Sequence, residues 1–102
     1  MTTTYRIRIT GEAEADLRSI YKGISERASA ASARNYVDRI LAYLASFDLF
    51  PERGSLRNEI RPGLRIVGFE RRVSVAFVVE QEEVVFLRIL YAGQEFKIGG
   101  GI

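Results

Sequence analysis

The chain has 102 residues, 47% of them apolar and 27% charged, an ordinary globular composition that argues against disorder and suits one domain spanning 1–102. It contains no Cys and no His, which excludes disulfides, thiolate metal centres, a thiol nucleophile and imidazole acid–base chemistry, so no cofactor or metal is expected. The formal charge is only +2, yet the basic residues are 13 Arg against 2 Lys, and Arg grips carboxylate or phosphate as a planar fork.

The start, Met1 to Arg6, carries no apolar run, and the longest apolar runs are of strand length. Neither a signal peptide nor a membrane span is expected, which points to a cytoplasmic protein with no membrane partner. Tyr5, Ile7 and Ile9 alternate with Arg6, Arg8 and Thr10, the period of a strand with one buried face. From Glu12 the period becomes 3.6. Ala13, Leu17, Ile20, Tyr21 and Ile24 share a stripe, and Glu12, Glu14 and Asp16 crowd the first turn, which predicts a helix over 11–27. Ser29 and Ser32 offer N-caps to a second helix reaching about residue 48, with Ala33, Tyr36, Val37, Ile40, Leu41, Leu44 and Phe47 as its apolar stripe. So short a link makes the two helices an antiparallel hairpin.

Residues 48–63 contain Pro51, Gly54, Asn58 and Pro62 without a period and read as a long loop. Strands are expected at Leu64–Phe69, Arg72–Val79 and Val84–Tyr91, the last two joined by a polar turn at Glu80 to Glu83. Gly99 to Gly101 belong to a flexible tail at about 97–102. The order is β-α-α-β-β-β, an α+β fold with a helical hairpin packed on one face of a small, mostly antiparallel sheet.

Strict alternation turns Tyr5, Ile7, Ile9, Leu64, Ile66, Val75, Phe77, Leu87 and Ile89 toward the helices. The opposite face then receives Arg6, Arg8, Arg65, Val67, Phe69, Ser74, Val78, Phe86, Arg88 and Leu90. Half apolar and half arginine, that face suits neither water nor a dry core. Two covers are open to it: another molecule, or the chain's own Arg stems together with the tail from Ala92.

Few residue groups suggest chemistry. Glu82-Glu83 reads as a solvated turn, and the Glu12, Glu14 and Asp16 cluster as a helix start matched to its dipole. Gly99 to Gly101 follow no strand–helix frame that could cradle a phosphate, and Ser74 has no His to activate it. Arg65, Arg71, Arg72, Arg88 and Tyr91 come from the strands and their ends. Gathered on one side, they could bind a phosphodiester, with Arg stabilising charge and Tyr as acid or base, or more simply an acidic partner.

The opening strand and Thr10-Gly11-Glu12-Ala13-Glu14-Ala15-Asp16-Leu17, then Ala33-Arg34-Asn35-Tyr36, Phe50-Pro51-Glu52-Arg53-Gly54, Arg61-Pro62-Gly63-Leu64-Arg65 and Val85-Phe86-Leu87-Arg88-Ile89-Leu90-Tyr91 resemble ParE-type toxins of the RelE/ParE superfamily over roughly residues 4–96. The resemblance implies a toxin of a type II toxin–antitoxin module, neutralised by a ParD-like antitoxin and directed at DNA gyrase, without sequence-specific nucleic-acid binding. It places the antitoxin on Arg65, Phe69, Arg72, Phe86 and Arg88 of the sheet and on Ile20, Tyr36 and Ile40 of the helices. The RelE side of the superfamily implies an alternative, a ribosome-dependent mRNA endoribonuclease using Arg65, Arg72, Arg88 and Tyr91. A third possibility is an inactive antitoxin-binding module. The chain departs from ParE relatives that carry His and then Arg-Asp after the last strand, having Tyr91-Ala92-Gly93-Gln94-Glu95 there. It also lacks the mid-chain Lys of the nucleases.

Overall fold

A computed structural model describes residues 4–91; the glycine-rich tail and the segment after Tyr91 lie outside the described residues. The elements are β1 (Arg6–Ile9), α1 (Gly11–Arg27), α2 (Ala30–Ala45), a single 3-10 turn (Ser46–Asp48), β2 (Ser55–Leu56), β3 (Arg65–Phe69), β4 (Val73–Val79) and β5 (Glu83–Tyr91). One sheet holds the strands in the order β1-β5-β4-β3-β2, with β1 parallel to β5 and the other pairs antiparallel. The α+β arrangement is the expected one with a strand added. β2 has two residues, too few for a period to show in the sequence.

Both helices start where an oxygen-bearing side chain can close their first turn. Thr10 Oγ1 accepts from the Ala13 amide at 3.1 Å, and Ser29 Oγ accepts from the Ser32 amide at 3.0 Å. α2 runs on through the 3-10 turn, which drives Phe47 into the core. There Phe47 meets Tyr43, Phe77 and Phe86 edge-on, with ring centroids 5.2, 5.1 and 5.3 Å away. Leu17, Ile20, Ile40 and Leu44 from the helices and Val73, Val75, Val84 and Ile89 from the sheet complete this layer.

The expected side-chain faces need correction, and the cause is one residue. Ala76 pairs with Arg88 but Phe77 pairs with Phe86, so Leu87 is an extra residue in β5, a β-bulge. The alternation of β5 therefore changes phase at Leu87. Phe86, expected on the outer face, is buried under the helices, and Leu87, expected inside, packs on the outer cluster. β3 is likewise one residue out of phase with the expectation. Val67 and Phe69 pack against the helical core, whereas Leu64 and Ile66 belong to the outer cluster.

The outer face is not left bare. Leu64, Ala76, Val78 and Val85 are all buried there, and Ile60 and Ile66 pack against them. The turn that carries Ile60 is tied down by backbone bonds, Arg57 N–H to the Leu64 carbonyl at 2.7 Å and Leu64 N–H to the Arg61 carbonyl at 3.0 Å. Part of the long loop is thus the cover that the sequence left unassigned.

The remainder of that loop is shaped by Pro51, which is buried, and by Gly54. Gly54 has φ +73, and a Cβ added there would lie 2.3 Å from the Ile66 carbonyl oxygen. Gly63 also has positive φ, +80, but faces open space. Replacing Gly54 with Ala is expected to cost about 2–4 kcal/mol, because left-handed strain and a backbone collision add. At Gly63, with strain alone, the same change should cost about 1 kcal/mol. Urea denaturation of the two variants checks the difference.

Candidate functional site

The residues singled out from the sequence separate into four groups. Ile20, Ile40 and Phe86 are buried in the core between helices and sheet, so none of them presents a contact surface to a partner, and their proposed place at an interface is corrected. The sequence could not distinguish them, since core and interface side chains are the same types.

Arg88 is held by its own chain. β1 pairs with β5 only as far as Ile9 and Phe86, and beyond that point the edge of β5 is completed by α1. Thr10 Oγ1 donates to the Leu87 carbonyl at 3.1 Å, and Asp16 Oδ2 accepts from the Ile89 amide at 2.8 Å. The Arg88 guanidinium closes on the same carboxylate with two bonds of 2.8 and 3.0 Å. Both side chains are largely shielded, at 21% and 13% exposure, and the bond to Asp16 raises the guanidinium above its ordinary pKa. Asp16 therefore works as a strand-edge clamp as well as a helix-start acid. Its position beside the stripe of Ala13, Leu17 and Ile20 was the signal available for this.

Arg65 stands at the other side of the sheet, in a corner built by the loop after α2. Its guanidinium donates to the Arg53 carbonyl at 3.3 Å. Arg53 in turn donates to the Phe50 carbonyl at 2.7 Å and to the Ser46 carbonyl at 2.7 Å, and lies 4.2 Å from the Phe47 ring centroid. One arginine thereby closes the end of α2 and fixes the loop. Leu56, paired across the strands with Arg65, and Leu49 and Phe50 are the apolar members of this corner. Their exposures are 49%, 45% and 72%. Apolar exposure on this scale next to an arginine without a carboxylate partner, among the described residues, is the mixed surface that the sequence had assigned to the outer sheet face.

Arg72, Tyr91, Tyr36 and Phe69 gather at the closed end of the helical hairpin. Tyr36 meets Phe69 and Tyr91 edge-on at 6.3 and 6.1 Å. Arg27 lies over the Tyr91 ring at 5.7 Å and Arg39 over the Tyr36 ring at 5.0 Å. Arg39 also makes a two-pronged ion pair with Glu70, both bonds 3.0 Å. That bond lowers the Glu70 carboxyl below its usual range, while burial, then Glu70, raises the Tyr36 phenol. Arg27, Tyr36, Arg39, Arg72 and Tyr91 border a cleft of about 390 Å³ together with Ile24, Ala28, Ser32 and Asn35. Of the four residues suggested for a nuclease, only Arg72 and Tyr91 meet. Arg65 is paired with Phe77 and Tyr91 with Val73, four residues or about 13 Å along β4.

Among the described residues no group of His, Cys, Asp or Glu could hold a metal ion, and no helix is long and apolar enough to cross a membrane.

Two outcomes follow from these contacts. Asp16→Asn should destabilise the fold by about 1–3 kcal/mol in chemical denaturation, since the Arg88 charge loses its close, shielded counter-ion and keeps only the exposed Glu12 at 4.0 Å. The Glu70 carboxyl, depressed when folded, contributes stability above its unfolded pKa, and that contribution is lost as pH falls through the folded value. In Arg39→Ala its titration, followed by carboxyl NMR, should move upward toward the unfolded value.

The fold has relatives among solved structures. The chain is similar to a solved chain described as the chromosomal ParDE TA system from P. aeruginosa, with 27% identity and a TM-score of 0.76 over 87% of this chain and 97% of that one. The solution structure of the conserved hypothetical protein HP0894 from Helicobacter pylori shares the fold, with 15% identity and a TM-score of 0.53 over 90% of this chain and 99% of that one. No curated protein sequence was found to match. Residues 7–96 match the family model of the ParE toxin of the type II toxin–antitoxin system parDE, and the chain therefore belongs to the ParE toxin family.

Proposed function

We propose that the chain is a cytoplasmic toxin held inactive by an acidic ParD-like antitoxin, and that the free toxin inhibits DNA gyrase and blocks replication without making or breaking bonds itself. The observation that carries this reading is the family match over 7–96, joined to the likeness with the ParDE system of P. aeruginosa. The separation of the suggested nuclease residues, among the described residues, supports it from the geometry. Arg88 is committed to Asp16, and Arg65 lies at the far side of the sheet from Tyr91.

The antitoxin surface that fits best is the corner of Phe50, Leu56 and Arg65. Its exposed apolar side chains offer burial worth roughly 1.5–3 kcal/mol each, and Arg65 offers a fork to a carboxylate. An acidic segment that orders on binding would supply both kinds of contact. Leu41, 38% exposed on α2, extends the apolar area of the toxin. Arg72 and Tyr36, also suggested for this interface, border the cleft at the hairpin end, and Phe69 packs against Tyr36.

Three measurements decide the matter. Expression should arrest growth, and co-expression of the neighbouring antitoxin gene should restore it. The purified chain should inhibit gyrase supercoiling, and no inhibition at high molar excess despite toxicity would remove gyrase. Codon-phased mRNA cuts by primer extension would favour the ribonuclease instead. Phe50→Glu should weaken the toxin–antitoxin complex by at least about tenfold in calorimetry while leaving the thermal midpoint nearly unchanged, since the residue is 72% exposed.

A further inference from the structure

The cleft at the closed end of the hairpin goes unused in the proposal above. On α2, Ser32, Asn35, Tyr36 and Arg39 fall at i, i+3, i+4 and i+7, a helical stripe that carries polar groups where a core-facing stripe would be apolar. Facing them are Arg27 from α1 and Arg72 from the β3–β4 turn. Three guanidiniums border this space, and no carboxylate does. Arg39 is engaged by Glu70, but neither Arg27 nor Arg72 has a carboxylate partner among the described residues. Like charges gathered round a concave surface repel one another unless an anion enters.

A second observation concerns the turn that delivers Arg72. Glu70 and Arg71 both have positive φ, 49 and 63, in a turn closed by the Arg72 amide bonding to the Phe69 carbonyl at 3.3 Å. Such a turn ordinarily takes Asn and Gly, and here it takes two residues with full side chains. The ion pair from Arg39 to Glu70 is exposed and screened, so it returns little of that strain. A third observation is the Tyr36 hydroxyl, which is shielded from water and has no hydrogen-bond partner among the described residues. Strain, unpaired charge and an unused polar group meet in one place.

The cleft, at about 390 Å³, lies in the size range of small-ligand sites, roughly 300–1,000 Å³, and greatly exceeds a bare oxyanion. Tyrosine rings and Ile24 give it an apolar, aromatic wall. We propose that it binds a nucleotide, with Arg27 and Arg72 forking onto the phosphate and Tyr36 and Tyr91 walling the ring system. Two guanidiniums without a carboxylate partner among the described residues suit the several oxygens of a phosphate better than one peptide carboxylate, which a single fork satisfies. The binding involves no bond breaking, and it does not depend on which cellular target the toxin has.

Calorimetry on the full chain tests this with AMP, adenosine, inorganic phosphate and a 5′-phosphorylated RNA trinucleotide. AMP should bind at least about tenfold more tightly than either adenosine or phosphate alone. Arg27→Ala and Arg72→Ala should each lose about tenfold, Arg72→Lys less, and Arg34→Ala, on α2 outside the cleft, nothing. All three positions are exposed, so thermal midpoints should hold and confirm folding. A trinucleotide that binds more tightly than AMP assigns the site to a nucleotide within a strand, and equal affinity assigns it to a free nucleotide. Adenosine binding as well as AMP, full affinity in Arg72→Ala, or tighter binding of a glutamate-rich peptide than of AMP would overturn the proposal.

Discussion

The extra residue at Leu87 sets the conditions for most of the molecule. By changing the phase of β5 midway, it lets Val84 and Phe86 face the helices on one side of the bulge and Ile89 and Tyr91 on the other. With Leu87 and Arg88 both displaced, the strand edge past β1 is free for α1. Thr10 and Asp16 fill it with side-chain oxygens where another strand would have supplied backbone. The cost of burying the Asp16 carboxylate is met because it accepts from one backbone amide and one guanidinium together. Without the bulge, Phe86 would point outward and the ring cluster about Phe47 would lose a wall.

Much of the fold was legible because it rests on period alone. The alternation at Tyr5, Ile7 and Ile9 and the 3.6 stripes of Leu17 and Ile40 mark their elements without knowledge of any partner. Thr10 and Ser29 announce the helix starts. What escaped detection depends on pairs distant in sequence. A bulge adds a residue to one strand relative to its neighbour, and one strand read alone shows no offset. The Asp16 to Arg88 bond joins positions 72 apart, and nothing in either local segment requires the other. Ile60 reads as a loop residue because its packing is decided by the outer sheet face it covers.

The same distinction separates the two surface features. Residues of the apolar corner, Phe50 and Leu56, look like core residues in the sequence and become surface only because the loop around Pro51 and Gly54 turns them out. The cleft residues Arg27 and Arg39 look like solvated helix positions and become neighbours only because the hairpin brings the two helix ends together. Arg53 links the corner to the interior, since the guanidinium that binds the Phe50 carbonyl also stacks on Phe47. Pressure on that loop is therefore felt in the centre of the domain.

The sheet joins the beginning of the chain to its end. Among the described strands β1 has β5 as its one neighbour, and Thr10 and Asp16 find their bonds at Leu87 and Ile89. A ribosome-bound fragment ending before residue 83 has the helical hairpin but nothing for its first strand to pair with. Closure of so distant a pair is slow and comes late. The described sheet is therefore complete only once synthesis has delivered β5, and a product stalled before it lacks the strand on which β1 and the start of α1 are seated.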